Sequence, residues 1–150
     1  MKKKPEKIIQ KVTEKILSLL DVEATVSVEI KDEHAAVTLD TEDSGVLIGY
    51  HGETLESLQL IIALCAAKEL GEFTRVSLEI GDYKKNREDR IRELVEEAKE
   101  QVVEKSQSVT LPDLKAWERR FVHMLLAEDS EVKSVSSGEG RDRILEIQPK

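Results

Sequence analysis

Two clusters in this 150-residue sequence combine residue types and spacings that could do chemistry. The first is Gly49-Tyr50-His51-Gly52, which stands between the apolar piece Val46-Leu47-Ile48 and a long apolar run from Glu53 to Leu70. Two glycines three positions apart permit a turn that side chains would strain, and they let another backbone come close. The turn feeds a helix whose first amides lack intrahelical acceptors, and those N–H groups together with the helix dipole can seat a phosphate without any lysine. Ile48, Gly49, Tyr50, His51 and Gly52 are the candidate contacts, against the simpler alternative of a turn that only links two helices. The second cluster is Arg119-Arg120-Phe121-Val122-His123. Arg119 and His123 are one helical turn apart and share a face. With Trp117, Phe121, Met124 and Leu125 as the apolar stripe, the pair points away from the core by well over a right angle. An arginine can fork onto a phosphate or stack on a base, and a histidine can donate to phosphate or stack, so the pair is either a strand-binding site or a solvated polar face.

Catalysis finds no such cluster. Cys65 falls on an expected buried helical stripe, and Ser44, Ser57 and His51 occur in no hydrolase pattern, so no base is oriented towards a nucleophile and no enzyme is expected. His34 reads as a strand residue beside a turn. The acidic pairs Glu96-Glu97 and Glu128-Asp129 read as solvated faces, and with one Cys and three His no metal or other cofactor is expected.

Hydrophobic residues at 39% and charged residues at 36%, with seven Gly and three Pro, describe a globular chain able to bury a core without disulfides or metal. The lone cysteine points to a reducing compartment, and a cytoplasmic protein is expected. The basic start resembles the beginning of an export signal, but Lys7, Lys11, Glu14 and Lys15 interrupt the apolar stretch that such a signal needs. No apolar run reaches membrane-spanning length, so no membrane insertion is expected. The net charge of −8 excludes whole-surface attraction to a polyanion, and any such site must be local. Residues 1–82 hold nine basic and sixteen acidic side chains (net −7), and residues 83–150 hold fourteen and fifteen (net −1), which makes the second half the better polyanion binder.

Periodicity supplies the elements that would position the two clusters. Ile9, Val12, Ile16, Leu19 and Leu20 predict a helix from about Glu6 to Leu20. Alternation predicts strands around Val26-Val28-Ile30 and Ala35-Val37-Leu39, joined by a turn at Lys31-Asp32-Glu33. The run from Glu53 reads as a mostly buried helix, with Leu55, Leu58, Ile62 and Cys65 on one stripe, Leu60, Ile61 and Leu64 widening it, and Gly71 stopping it. Val76-Leu78-Ile80 predicts a third strand. A charge-laced helix then carries Ile91, Leu94, Val95, Ala98 and Val102 on one face as far as about Lys105. A short strand at Val109-Thr110-Leu111, a helix from Asp113 to Ala127 capped by Asp113, and a hairpin of Val132–Ser136 and Arg143–Ile147 complete an α+β chain. The expected domains are residues 1–82 and 83–150, the second including its leading helix at 83–106.

The order helix, two strands, helix pair joined by Gly-x-x-Gly, strand resembles a type II KH domain, a fold that clamps single-stranded nucleic acid by its backbone. Val46 to Gln59 is similar to the signature of one family, the Jag family of bacterial RNA-binding proteins. Glu118-Arg119-Arg120-Phe121-Val122-His123 resembles the Arg-x-x-x-His motif of the R-3-H domain, a small α+β module that binds single-stranded nucleic acid. Ser137 to Arg143 resembles the turn that follows this motif in Jag proteins. The resemblance covers essentially the whole chain in the order KH then R-3-H, as a short form without the extra N-terminal Jag domain. It implies a binder of single-stranded RNA or single-stranded DNA, with Arg119, Arg120, His123, Arg141 and Arg143 on the R-3-H surface. It also implies a role as a post-transcriptional or cell-envelope regulator and a small KH-domain protein as partner. The resemblance says nothing of homo-oligomers. Tyr50 and His51 stand where such loops are commonly basic, which leaves backbone amides to hold the strand. A second reading is a protein-interaction scaffold, in which the acidic KH module pairs with another KH protein and nucleic acid touches only the R-3-H patch.

Overall fold

The computed structural model describes residues 4–150, and Met1 to Lys3 of the basic start lie outside it. Contacts divide the chain into two compact units between Lys84 and Lys85. The first begins with helix α1 (Pro5–Leu19), where Pro5 supplies a preset φ at the first helical turn. Its buried ridge is Ile9, Thr13 and Leu17, at i, i+4 and i+8. Thr13 takes a place that hydropathy assigns to a hydrocarbon, because its hydroxyl donates to the Ile9 carbonyl at 2.8 Å and buries no unsatisfied group. The expected core residues Leu19 and Leu20 are instead exposed.

Strands β1 (Thr25–Lys31) and β2 (His34–Asp40) pair antiparallel, with Val28 opposite Val37. Asp32 and Glu33 between them both have positive φ (51° and 62°), the hand of turn that matches the twist of a hairpin. After α2 (Ser44–Ile48) and α3 (Glu53–Leu70), strand β3 (Arg75–Ile80) returns parallel to β2, placing β2 at the centre of the order β1-β2-β3. A parallel return needs a crossover of a dozen residues or more, and the α2–α3 segment supplies it. His34 Nε2 lies 2.8 Å from Ser77 Oγ across that parallel pair, in keeping with a strand residue beside a turn.

The long helix α3 departs from its expected burial. Leu58, Ile62, Ala63 and Ala66 face α1 and β3, while Leu60, Ile61 and Leu64 are 58%, 48% and 56% exposed and Cys65 is exposed rather than core. The helix is covered along one narrow stripe, and the small side chains of Ala63 and Ala66 let its partners approach closely there. Gln59, polar within the apolar run, ties the helix to the sheet, its Oε1 accepting the Leu78 N–H at 2.9 Å on the outer side of edge strand β3. Gly71 ends α3 with φ 78° and its N–H on the Ala67 carbonyl.

Helix α4 (Tyr83–Lys105) leads the second unit with Ile91, Val95, Ala98 and Val102 buried. Strands β4 (Val109–Leu111), β5 (Val132–Ser137) and β6 (Ile144–Pro149) form an antiparallel sheet in the order β4-β6-β5, and α5 (Ala116–Leu126) packs on β5. Val122, Leu145 and Ile147 are fully buried with the α4 ridge in this unit's own core. Asp113 does not cap α5: it has φ 55°, the helix begins at Ala116, and the carboxylate of Glu118 accepts the Lys115 N–H at 2.8 Å from within the first turn.

The turn from α5 to β5 is built on Asp129. Its carboxylate accepts Lys99 Nζ at 2.6 Å and the amides of Glu131 and Val132 at 2.9 and 3.1 Å. The Lys99 ammonium first, and then the two amides, hold its pKa down from 3.8 to about 2. A depressed carboxylate stabilises the fold in full above its unfolded value and loses that contribution as pH falls through its folded value. The stability difference between the parent and Asp129→Asn should therefore be constant near neutrality and shrink between about pH 4 and 2. Denaturant midpoints of both proteins across that window measure it, and a difference that holds to pH 2 contradicts the assignment.

Candidate nucleic-acid interface

The first candidate loop has the backbone that its glycines predict. Gly49 adopts φ 69°, ψ −170°, a region essentially closed to any other residue, and an added Cβ would collide with the Thr54 side chain. His51 follows at φ 51° and Gly52 at φ 78°. Gly52 is buried under the Tyr83 ring, whose hydroxyl would be 3.1 Å from an added Cβ. Gly49→Ala should therefore displace the loop while the strands stay in place. Amide shifts confined to residues 46–56 would show this, and an unshifted loop would contradict it.

Gly52, as the cap residue of α3, has no side chain to close its first turn. Glu53 and Glu56 place two carboxylates in that turn, which complement the dipole and oppose a second anion. Tyr50 is 68% exposed and its ring lies 4.1 Å from that of His51, so the loop presents an aromatic pair. Ile48 is half-buried behind it. The His51 Nδ1 is buried and has no hydrogen-bond partner among the described residues.

Around Arg119 and His123 the buried ridge of α5 differs from the expected one. It is Glu118, Val122 and Leu126, with Trp117 and Phe121 only partly buried, Met124 65% exposed and Leu125 at the surface. Arg119 and His123 therefore flank the core and are half-buried, instead of pointing away from it. The cause is Glu118, a fully buried carboxylate that hydropathy would place outside. Arg87 Nε donates to it at 2.6 Å and the Lys115 amide at 2.8 Å, so its charge is paired and its lone pairs are used.

Both flanking side chains are held from the protein side. Arg119 Nη1 donates to the Leu114 carbonyl at 2.6 Å, and His123 Nδ1 lies 2.6 Å from Ser134 Oγ on β5. Arg143 is exposed, with its Nε on Ser136 Oγ at 3.1 Å. The structure thus connects His123 and Arg143 to one strand, with Arg119 a helical turn from His123. Arg120 is exposed on the far side of α5, about 160° around the axis from Val122, and Arg141 is exposed in the short helical turn Gly140–Asp142. Among the described residues no side-chain hydrogen bond links either of these two to the other three. On the opposite flank the Arg92 guanidinium stacks 5.0 Å over the Phe121 ring. Glu118, Ser134 and Ser136 were not singled out by sequence; two serines alternating with valine on a strand were the available signal for the last two. Among the described residues no three His, Cys, Asp or Glu side chains converge as a metal site requires, and no helix is long and apolar enough to cross a membrane.

Comparison with known proteins gives the same division. Residues 6–80 match the family model described as KhpA/KhpB, KH domain, and residues 89–149 match the R-3-H domain. The chain is 30% identical over 128 residues to a protein of Clostridium symbiosum named RNA-binding protein KhpB, covering 84% of this chain and 58% of that one. Proteins of the same name from Lactiplantibacillus plantarum and Streptococcus pneumoniae are 29% and 26% identical over 127 and 132 residues, covering 85% and 88% of this chain and 39% and 40% of theirs. The chain thus spans about half the length of the curated relatives it matches. Both matched domains are RNA-binding modules and not enzymes. With a KhpA/KhpB-type KH domain followed by an R-3-H domain, the chain belongs to the KhpB, or Jag, family.

Proposed function

We propose that this protein binds single-stranded RNA in the cytoplasm, holding it through the Gly49–Gly52 loop and the Arg119/His123 helix, and acts as a post-transcriptional or cell-envelope regulator. The observation that supports this reading best is the half-buried Arg119/His123 pair. Each side chain is oriented by one inner hydrogen bond, and each keeps further nitrogens for a ligand. A neutral polar face would not need such fixing. Arg119, His123 and Arg143 form the principal contact row, Arg120 and Arg141 add peripheral charge, and the Tyr50/His51 rings offer a surface on which a base can stack. Titration of the full chain with fluorescein-labelled oligouridylate and oligothymidylate at two salt concentrations tests the proposal. RNA should bind at least as tightly as DNA and weaken with salt in both cases. Binding to neither at low salt overturns it.

A second reading, a scaffold whose KH module pairs with a small KH-domain protein, is favoured by one observation. The exposed stripe Leu60, Ile61 and Leu64 on α3 lies in the half of the chain with net charge −7. Sedimentation of the chain alone and mixed with such a protein reads it directly. A complex that forms equally well with a charged substitution at Leu60 removes this stripe as its basis.

A further inference from the structure

We infer that Ser134 is a positioning residue for nucleic-acid binding: its hydroxyl donates to His123 Nδ1 and thereby presents His123 Nε2–H to a phosphodiester oxygen. The inference rests on the R-3-H reading of His123 and adds the residue that makes that histidine competent. A phosphate oxygen accepts and does not donate, so a neutral imidazole can hold it only through whichever nitrogen carries the proton. The contact at 2.6 Å commits Nδ1 to Ser134, and Nε2 has no hydrogen-bond partner among the described residues.

The serine is a stiff partner. It is half-buried on β5, its backbone is fixed in register opposite Ile147 of the central strand β6, and α5 packs on that strand. A short side chain on a paired strand has one torsion to set, so it fixes the rotation of the imidazole ring. Ser136 repeats the arrangement two residues along the same strand face, about 7 Å away, where it receives Arg143 Nε. Two serines of one strand thus hold two phosphate-binding side chains side by side, which suits neighbouring groups on an extended single strand.

The test uses the full chain labelled with 15N-histidine, and oligouridylate as the probe. At alkaline pH, where imidazole is neutral, the His123 resonances should show Nδ1 unprotonated and Nε2 protonated. Ser134→Ala should broaden or shift the Nδ1 signal and weaken binding about five-fold, while Ser134→Thr, which keeps a hydroxyl on a strand residue, should restore both. A protonated Nδ1 in the parent overturns the inference, as does Ser134→Ala binding like the parent while His123→Ala binds weakly. The parent resonances and the threonine variant decide the matter even where the alanine variant folds poorly. If His123→Ala itself binds like the parent, the failure belongs to the R-3-H reading of that residue.

Discussion

Replacing Glu118 by Ala is expected to destabilise the second unit by about 3 to 5 kcal/mol, the cost of removing one partner from a buried ion pair. The carboxylate is fully buried, and the Arg87 side chain that faces it is 18% exposed. Without Glu118 the guanidinium keeps its charge in a poorly hydrated place, and the Lys115 amide loses the acceptor that starts α5. A loss of this size can exceed much of the stability of a small domain. Trp117, the single tryptophan, sits on α5 and reports the transition by fluorescence during denaturant unfolding. Glu118→Gln should cost less, because an amide oxygen still accepts the Lys115 N–H. A loss below about 1 kcal/mol for the alanine variant would mean that Arg87 finds water or another partner easily.

Arg119→Ala combined with His123→Ala is expected to lower affinity for a single strand at least ten-fold, because each replaced contact is a hydrogen bond to a charged group. The salt slope should fall by about one, reflecting the single permanent positive charge removed. Gly52→Asp should act less on affinity, although it disturbs its own surroundings. An aspartate there meets the Tyr83 hydroxyl at a backbone φ of 78° and adds a carboxylate to a loop that already faces Glu53 and Glu56. Parallel titrations of the three proteins with labelled oligouridylate give the comparison. Unchanged affinity in the double variant would remove Arg119 and His123 from the interface.

How far these features could be read in advance follows from what each side chain must satisfy. The strands were legible because alternation is a direct image of a half-covered sheet, as in Ala35, Val37 and Leu39. The turn at Gly49 and Gly52 was legible because the angles of Gly49 are essentially closed to other residues and the left-handed ones of Gly52 favour glycine. The burial of α3 was not, since apolar character says that Leu60, Ile61, Leu64 and Cys65 could be covered but not that anything covers them. The ridge of α5 was misplaced for a related reason: hydropathy excludes a glutamate from a core, and only the position of Arg87, thirty-one residues earlier, makes Glu118 acceptable there. The Arg119/His123 spacing was visible, while the serines that orient His123 and Arg143 depend on the pairing of β5, which no local pattern encodes.

The strand order β4-β6-β5 has a consequence for synthesis. β4 and β5 never touch, so neither has a pairing partner until Ile144–Pro149 has left the ribosome. The first unit is different, since its last strand, β3, ends at Ile80 and its sheet can close while the second unit is still being made. A nascent chain therefore passes through an interval in which the KH loop is complete and the strand that carries Ser134 and Ser136 has nothing to pair with. The proposed row of Arg119, His123 and Arg143, which depends on that strand, is therefore assembled only as a late event of translation.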